Sequence, residues 1–447
     1  MMIIPTVLVL PFPGQGHVNP MMILSQKLVD HGCRVIFVNS DFNHKRMMSS
    51  MVEQQHSLDE SLLKLVSIPD GLGPDDDERN EPGKLLDAVF STMPRTLEKL
   101  IEDIHMKGDH KIGFIVADLA MVWAFEVASK FGIKGAIFCP IAATMFALLC
   151  NIPKLVDDGI INSDGSLLTT KKTIQLSPNI PEIDPRLFFW LNMPAGKTDF
   201  MQCSRILNSI EWWLCNTAYE LEPGVFNFVP KILPIGPLLR SYESTNATSR
   251  SLGQFWEEDL SCMNWLDQQP HCSVIYVAFG SITIFDQSQF NELSLGLDLT
   301  NIPFLWVVRQ DNKMMFPNEF QGHKGKIVRW APQEKVLSHP AIACFVSHCG
   351  WNSTVEGLSN GVPFLCWPYF SDQIYDKTYI CNELNVGLGL NSNENGLVSR
   401  EEIQKKLDQL ISDENIRSRS LKLKENLMNN KGRSLENLNK FVKWLKE

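Results

Sequence analysis

The chain alternates short apolar runs with longer runs whose apolar residues recur every three or four positions. In the first half, Thr6–Leu10 (TVLVL) and Arg34–Val38 are apolar and too short for helices, which predicts buried strands. Between them Met21–His31 has helical spacing, and Gly32 supplies its stop. The pattern continues with a helix over Lys84–His105 interrupted at Pro94 and a strand over Ile112–Ala117. A helix over Met121–Phe131, closed by Gly132, then leads to a strand over Gly135–Cys139. Strands separated by helical stretches predict βαβ units and a parallel sheet.

The second half repeats this plan. Ser273–Ala278, Phe304–Val308, Lys326–Arg329, Ala341–Ser347 and Val362–Trp367 read as strands. Gln287–Leu299, Glu334–Ser338, Ser353–Leu358 and Asp372–Leu384 read as helical. Between the halves, Arg240–Leu252 (RSYESTNATSRSL) is polar, lacks apolar periodicity and follows the Pro-rich LPIGPLL, so it reads as a linker. The predicted division is a domain over 1–240, a linker over 241–253 and a second domain over 254–429. Asp413–Glu447 is charged and amphipathic, which predicts helical surface cover. Two such α/β units imply a cleft between them, with ligands outside the carboxyl ends of the strands.

Bulk properties narrow the function. The 447 residues are 44% hydrophobic and 21% charged, the composition of an ordinary globular protein. A formal net charge of −10 argues against nucleic-acid and anionic-membrane partners, which need a concentrated basic face. Eleven cysteines without a CxxC pair argue against a disulfide framework or a zinc site and read as free thiols in a reducing compartment. No apolar stretch is long enough to span a membrane, and the N-terminus lacks a basic region and a small-residue cleavage site. A cytoplasmic, monomeric protein is therefore expected. The acidic run at 74–81 (PDDDERNE) reads as a solvated loop.

Chemistry is expected in the turns that follow strands. PFPGQGHVNP, residues 11–20, begins a G-x-G-x-x-G with Gly14 and Gly16 but has Asn19 in place of the third glycine. Asp41 lies about where a dinucleotide fold carries its ribose-binding acid, so a nicotinamide-dependent oxidoreductase stays open at this point. His17 is either a surface histidine satisfying the turn or a base at the end of a strand. Asp118, ending an apolar strand, is either a helix N-cap or the carboxylate that orients His17 through one ring nitrogen. Gly280-Ser281 is either a plain tight turn or a set of N–H and hydroxyl donors for a phosphate.

The long segment 330–373, WAPQEKVLSHPAIACFVSHCGWNSTVEGLSNGVPFLCWPYFSDQ, resembles the 44-residue signature box of plant family-one UDP-sugar-dependent glycosyltransferases. PFPGQGHVNP, the strand-end Asp118, LPIGPL and SVIYVAFGS extend the resemblance over essentially the whole chain, most loosely at 150–215. It implies a GT-B fold, two Rossmann-like parallel-sheet domains across a cleft, with a C-terminal helix near 430–447 packing back on the N-terminal domain. It implies a UDP-sugar donor, best matched to UDP-glucose because the last box position is Gln373, and a small lipophilic plant acceptor: a flavonoid, other phenol, terpenoid or hormone.

The implied roles combine that resemblance with side-chain chemistry. Trp330 offers a face to the uracil, Ala331 main-chain groups to its edge, and Gln333 a hydrogen bond to the nucleoside. Gly16, Ser281, His348, Asn352 and Ser353 sit where the diphosphate is expected, and Glu356 where the ribose hydroxyls are. Trp351, Asp372, Gln373 and Thr144 surround the sugar. Met145, Phe188 and Phe189 are candidates for the apolar acceptor pocket. His17 is then the general base and Asp118 its orienting carboxylate, for inverting transfer without a metal or other cofactor. Cys349 reads as a small packed residue. A non-catalytic nucleotide-sugar-binding protein remains the rival reading, and the oxidoreductase a weaker one, since it leaves 330–373 unexplained.

Overall fold

β1 (Thr6–Leu10) is buried along its whole length, and β2 (Arg34–Ser40) after its first residue. Strands covered on both faces need no polar alternation, which is why they read as continuous apolar runs. The computed structural model describes residues 4–51, 62–73, 79, 82–108, 111–192, 201, 204–240 and 252–447. Within it, β1 and β2 join β3 (Leu63–Ile68), β4 (Phe114–Asp118), β5 (Lys134–Cys139), β6 (Trp212–Cys215) and β7 (Ile232–Pro234). The sheet order is β3-β2-β1-β4-β5-β6-β7, and all neighbours run parallel.

A second parallel sheet contains β8 (Val274–Ala278), β9 (Phe304–Val307), β10 (Gly325–Val328), β11 (Ile342–Ser347), β12 (Phe364–Cys366) and β13 (Gly387–Gly389). Its order is β10-β9-β8-β11-β12-β13. Renumbered from its own first strand, this is 3-2-1-4-5-6, the doubly wound order that also begins the first sheet. Both sheets are thus Rossmann-like. In such sheets the strand order reverses between the first and fourth strands, and ligands sit outside the carboxyl ends at that point. The turns after β1 and β4, and after β8 and β11, are the ones that matter.

The chain divides into two compact units, Met1–Trp256 with Asn430–Glu447, and Glu257–Asn429. The C-terminal helix Lys431–Lys446 belongs to the first: Phe441, Val442 and Leu445 enter its core, and Trp444 meets Phe114 with ring centroids 4.9 Å apart. Most of the expected linker, 241–251, lies outside the described residues. Gly253 and Phe255 are held to the first unit by the buried amide of Gln15, which donates to the Gly253 carbonyl (2.9 Å) and accepts from the Phe255 N–H (2.8 Å). Of the acidic run 74–81, Arg79 alone is described, and it pairs with both oxygens of Asp70.

Several elements differ from their sequence-based expectation. The first helix spans Gln15–Asp30, so His17 lies in its first turn and Pro20 inside it. First-turn amides lack helical partners in any case, so a polar, Gly-rich start is tolerated there. The helix Pro82–Lys107 runs through Pro94 without a break. A proline costs about 3 kcal/mol in a helix. Leu86, Val89, Met93, Leu97 and Ile101 are all buried along one face. At roughly 1.5–3 kcal/mol per fully buried side chain, that face outweighs the proline. β3, β6, β7 and β13 carried no usable pattern: β3 mixes polar and apolar residues, and the others have three or four residues each.

Among the described residues, no helix is long and apolar enough to cross a membrane.

Candidate active site

In the first unit the two strand ends at the reversal point carry His17 and Asp118. Asp118 is the last residue of β4 and is 0% exposed. One carboxylate oxygen, Oδ1, accepts the Ala120 N–H at 2.8 Å, so Asp118 does cap the following turn. Its other oxygen, Oδ2, lies 2.8 Å from His17 Nδ1. Both readings of this aspartate therefore hold at once, one per oxygen. A carboxylate acceptor directs the imidazole proton to Nδ1 and makes Nε2 the basic nitrogen. His17 keeps 30% of its side chain exposed, with the Phe12 ring 5.1 Å away. Asn43 Nδ2 donates to the Pro13 carbonyl (2.9 Å), fixing the turn that leads into His17. Gly16, next in line, is exposed.

Asn19, where a dinucleotide fold wants its third glycine, accepts from Arg240 and Gln254. Asp41 opens the helix Asp41–Met51. Thr144 lies in the first turn of the buried helix Ala143–Cys150, with its hydroxyl donating to Glu222 at 2.9 Å. Met145, Phe188 and Phe189 are buried, and the two phenylalanine rings lie 4.8 Å and 5.2 Å from the Trp190 ring.

In the second unit the reversal point is formed by the turns after β8 and β11. The β8 turn contains Gly280 at φ +67°, a backbone region that a side chain disfavours, followed by half-buried Ser281. After β11 come His348, Cys349 and Gly350, then the helix Trp351–Asn360. The His348 ring packs against both glycines. A Cβ on Gly280 would approach its Nε2 to 2.6 Å, and one on Gly350 to 2.5 Å, so neither position has room for a side chain. Burial pushes the His348 pKa down to about 4; the Ala278 carbonyl opposes this and the Arg309 charge adds to it. The ring is neutral near pH 7 and can donate one hydrogen bond.

Cys349 is wholly buried and takes φ +66°, unusual for a residue with a side chain. Its N–H donates to Ser347 Oγ (3.0 Å), and its carbonyl accepts from Thr354 Oγ1 (3.3 Å). Its part in the site is conformational: the left-handed turn carries the chain from strand to helix.

The helix start then joins a network. Gln333 Nε2 donates to Ser353 Oγ (2.8 Å) and to Glu356 Oε2 (2.7 Å), while its Oε1 accepts from Tyr276 Oη (3.2 Å). Burial, with the Glu356 charge adding, pushes the Tyr276 hydroxyl well above its usual range, so it stays a donor. Gln333 and Glu356, expected at the nucleoside, and Ser353, expected at the diphosphate, are thus connected directly. Asn352, beside them, is half-buried, and Trp351 is buried at the first position of the helix. The Trp330 carbonyl accepts from Asp259 N–H (2.9 Å), which fixes the main chain there; Trp330 is half-buried and Ala331 beside it is buried. Gln373 Oε1 accepts from the N–H groups of Tyr369 (2.8 Å) and Phe370 (3.2 Å), closing a turn in which Ser371 has φ +58°. Half-buried Asp372 follows as the N-cap residue of the helix Gln373–Thr378.

Sequence reasoning missed Arg309. It is 7% exposed, and its NH1 donates to the carbonyls of Gly280 (2.8 Å) and Thr283 (3.0 Å). Asp311 holds the other side of the guanidinium at 2.9 Å and 3.2 Å. Arg309 therefore shapes the β8 turn from below and places a fixed positive charge near it. The signal was there: an arginine directly after the apolar FLWVV is rarely placed without a partner. Tyr276, inside an apolar strand, gave no such signal. Among the described residues, no three His, Cys, Asp or Glu side chains are grouped to hold a metal ion.

Comparison with known proteins gives these turns a context. Residues 254–446 match the family model for UDP-glucoronosyl and UDP-glucosyl transferases. The chain is 45% identical to UDP-glycosyltransferase 83A1 of Arabidopsis thaliana, over 99% of this chain and 97% of that one. It is 30% identical to 7-deoxyloganetin glucosyltransferase of Gardenia jasminoides, over 98% and 96%. The crystal structure of Medicago truncatula UGT71G1 complexed with UDP-glucose superposes with a TM-score of 0.81 at 25% identity, covering 99% of each chain. The chain belongs to the plant family-one UDP-glycosyltransferases and has their GT-B fold, two Rossmann-like domains.

Proposed function

We propose that this enzyme transfers glucose from UDP-glucose to a hydroxyl of a small lipophilic plant metabolite, with inversion at the anomeric carbon. His17 Nε2 takes the acceptor's hydroxyl proton while Asp118 holds Nδ1–H and stabilises the imidazolium that forms. The acceptor oxygen forms its bond to the anomeric carbon as the bond to the diphosphate oxygen breaks, and UDP leaves with that electron pair. Negative charge grows on the departing diphosphate. The neutral His348 ring, Ser281 and the helix start at Asn352–Ser353 are the donors for it, as fixed dipoles already aimed where charge appears. Glu356 accepts from the ribose hydroxyls, Trp330 stacks on the uracil, and Trp351, Asp372 and Gln373 bind the sugar.

The observation that carries this reading is the 2.8 Å contact between His17 Nδ1 and a wholly buried carboxylate, which leaves the opposite nitrogen basic and the ring part-exposed. The glucose donor is supported by Gln373 and by the UDP-glucose complex of the Medicago relative. An acceptor of small-metabolite class is supported by the name of the Gardenia relative. The acceptor pocket would draw on the apolar stretch that holds Met145, Phe188 and Phe189. In this reading the reaction needs no metal, because His348, Ser281 and the helix start at Asn352–Ser353 supply the electrostatic term.

The test is a UDP-release screen of UDP-glucose, UDP-galactose, UDP-xylose and UDP-glucuronate against phenols and terpenoids, with and without EDTA. Transfer should be fastest from UDP-glucose and indifferent to EDTA. Tight UDP binding with neither transfer nor slow donor hydrolysis would sink the catalytic reading. Preference for another donor would sink the glucose assignment alone.

A further inference from the structure

Glu222 is a carboxylate inside the first unit, 3% exposed, and the reaction written above does not use it. Four donors converge on it. Ala143 N–H (2.9 Å) and Thr217 Oγ1 (2.9 Å) reach Oε2. Thr144 N–H (2.8 Å) and Thr144 Oγ1 (2.9 Å) reach Oε1. The helix Ala143–Cys150 has no cap of its own: Ala142 stands at the N-cap position, and the first turn holds no acidic residue. A side chain 78 residues further along the chain supplies the missing acceptor. Two carboxylate oxygens suit two amide donors at a helix start better than a single neutral cap; burial pushes the Glu222 pKa up, and the amides of Thr144 and Ala143 with the hydroxyls of Thr144 and Thr217 pull it back.

The carboxylate is itself held in place. Glu222 begins the helix Pro223–Phe228. Two residues on, Gly224 lies so close to Asn179 that a Cβ there would come within 1.8 Å of its carbonyl oxygen. The position of Glu222 is therefore set independently of the helix it caps.

Capping alone would be structural. The arrangement does more, because Thr144 is gripped twice, through its amide and its hydroxyl. A threonine hydroxyl whose proton is committed to a carboxylate can offer only lone pairs to other partners. We propose that Glu222 is a positioning residue for sugar transfer: it orients the Thr144 hydroxyl so that Thr144 accepts a hydrogen bond from a hydroxyl of the donor sugar. The inference rests on the reading that Thr144 meets the sugar.

The test compares Glu222→Gln, Thr144→Val and the double variant in the full chain, reading kcat per folded enzyme, KM for UDP-glucose, UDP affinity and melting temperature. A glutamine keeps the shape but turns an NH2 group toward donors. Misplacing a contact by about 1 Å can cost up to ~100-fold, so Glu222→Gln should lower kcat about 10- to 100-fold. UDP affinity should be unchanged, Thr144→Val should lose a similar factor, and the double variant should be no worse than the worse single. A lower melting temperature with kcat within about twofold of wild type, while Thr144→Val is impaired, would overturn the role of Glu222 and leave Thr144 at the sugar. Full activity in Thr144→Val would instead overturn the placement of Thr144, and this inference with it. If Glu222→Gln does not fold, Thr217→Val keeps the carboxylate and removes one donor, and a loss of about threefold is expected. An unchanged kcat there, beside an impaired Thr144→Val, rejects the proposal.

Discussion

The two sheets share a strand order and each places a histidine at the point where that order reverses, yet the two histidines have opposite surroundings. His17 follows β1 and faces a buried carboxylate at 2.8 Å while keeping 30% of its side chain exposed. His348 follows β11 and packs on two glycines, with the Arg309 guanidinium nearby. A carboxylate partner makes an imidazole a better base and stabilises its charged form; burial beside a cation does the reverse. On the proposed reading, one scaffold yields a proton acceptor in the first unit and a neutral hydrogen-bond donor in the second. The difference comes from what the neighbouring strand end supplies: Asp118 at the end of β4 in one case, Gly280 after β8 in the other.

Removing the base is the most severe way to break this comparison. A general base contributes about 10²- to 10⁴-fold, so His17→Ala should lose turnover by that range with UDP affinity retained. Turnover near wild type on an alcohol acceptor would reject the base assignment. Asp118→Ala should cost less, on the order of 10- to 100-fold, because the imidazole survives but loses its fixed tautomer. Measuring kcat for both on the same acceptor checks the order; an Asp118 variant worse than the His17 variant would mean that the aspartate serves mainly to hold the fold.

The second unit should respond in binding instead. Arg309→Met removes two bonds to the carbonyls that shape the β8 turn and takes a positive charge from beside that turn, where the diphosphate is proposed to lie. Charge-assisted bonds of this kind are worth about 1.5–3 kcal/mol, and if roughly half of that reaches the ligand, UDP should bind about tenfold more weakly. Calorimetry on the variant would decide this. Unchanged UDP affinity would leave Arg309 a purely structural residue.

The scaffold was largely legible in the sequence, because buried parallel strands and amphipathic helices write themselves as apolar runs and three-to-four spacing. The ordered segment 330–373 offered its candidate nucleoside residues through resemblance rather than pattern, and the contact of Gln333 with Glu356, from two different helices, is what the fold adds. Long-range partners were less legible. Nothing in NTAYELEP marks Glu222 as the cap of a helix 78 residues earlier. The pairing of His17 with Asp118 could be suggested because both end strands, but only the β1–β4 pairing makes them neighbours. Positive φ at Cys349 and Ser371 was invisible, because neither residue type announces a left-handed turn. The first helix was placed too late for the converse reason: Gly16 and Pro20 look like breakers, and only the packing of Val18, Met21 and Met22 in the core shows that they are not.

The smallest effect is also the most specific to the contrast between the two rings. His348 titrates near 4 in the folded chain, against an ordinary value of 6.5. Between those two values the unfolded chain binds a proton that the folded chain refuses. Stability contributed by the neutral ring is therefore present in full above about pH 6.5 and is lost progressively as pH falls toward about 4, below which the loss levels off. His348→Gln keeps a neutral donor and removes the titration, so its denaturation midpoint should fall less steeply than wild type across that window and match its slope above it. The partial exposure of the ring trims the effect to about 1–2 kcal/mol over the window. Urea midpoints at half-unit pH steps, followed through tryptophan fluorescence, would resolve it. Parallel curves for wild type and variant would mean that folding leaves the proton affinity of the ring unchanged. Its surroundings would then not hold His348 neutral, and the proposed division of labour between the two histidines would lose its electrostatic basis.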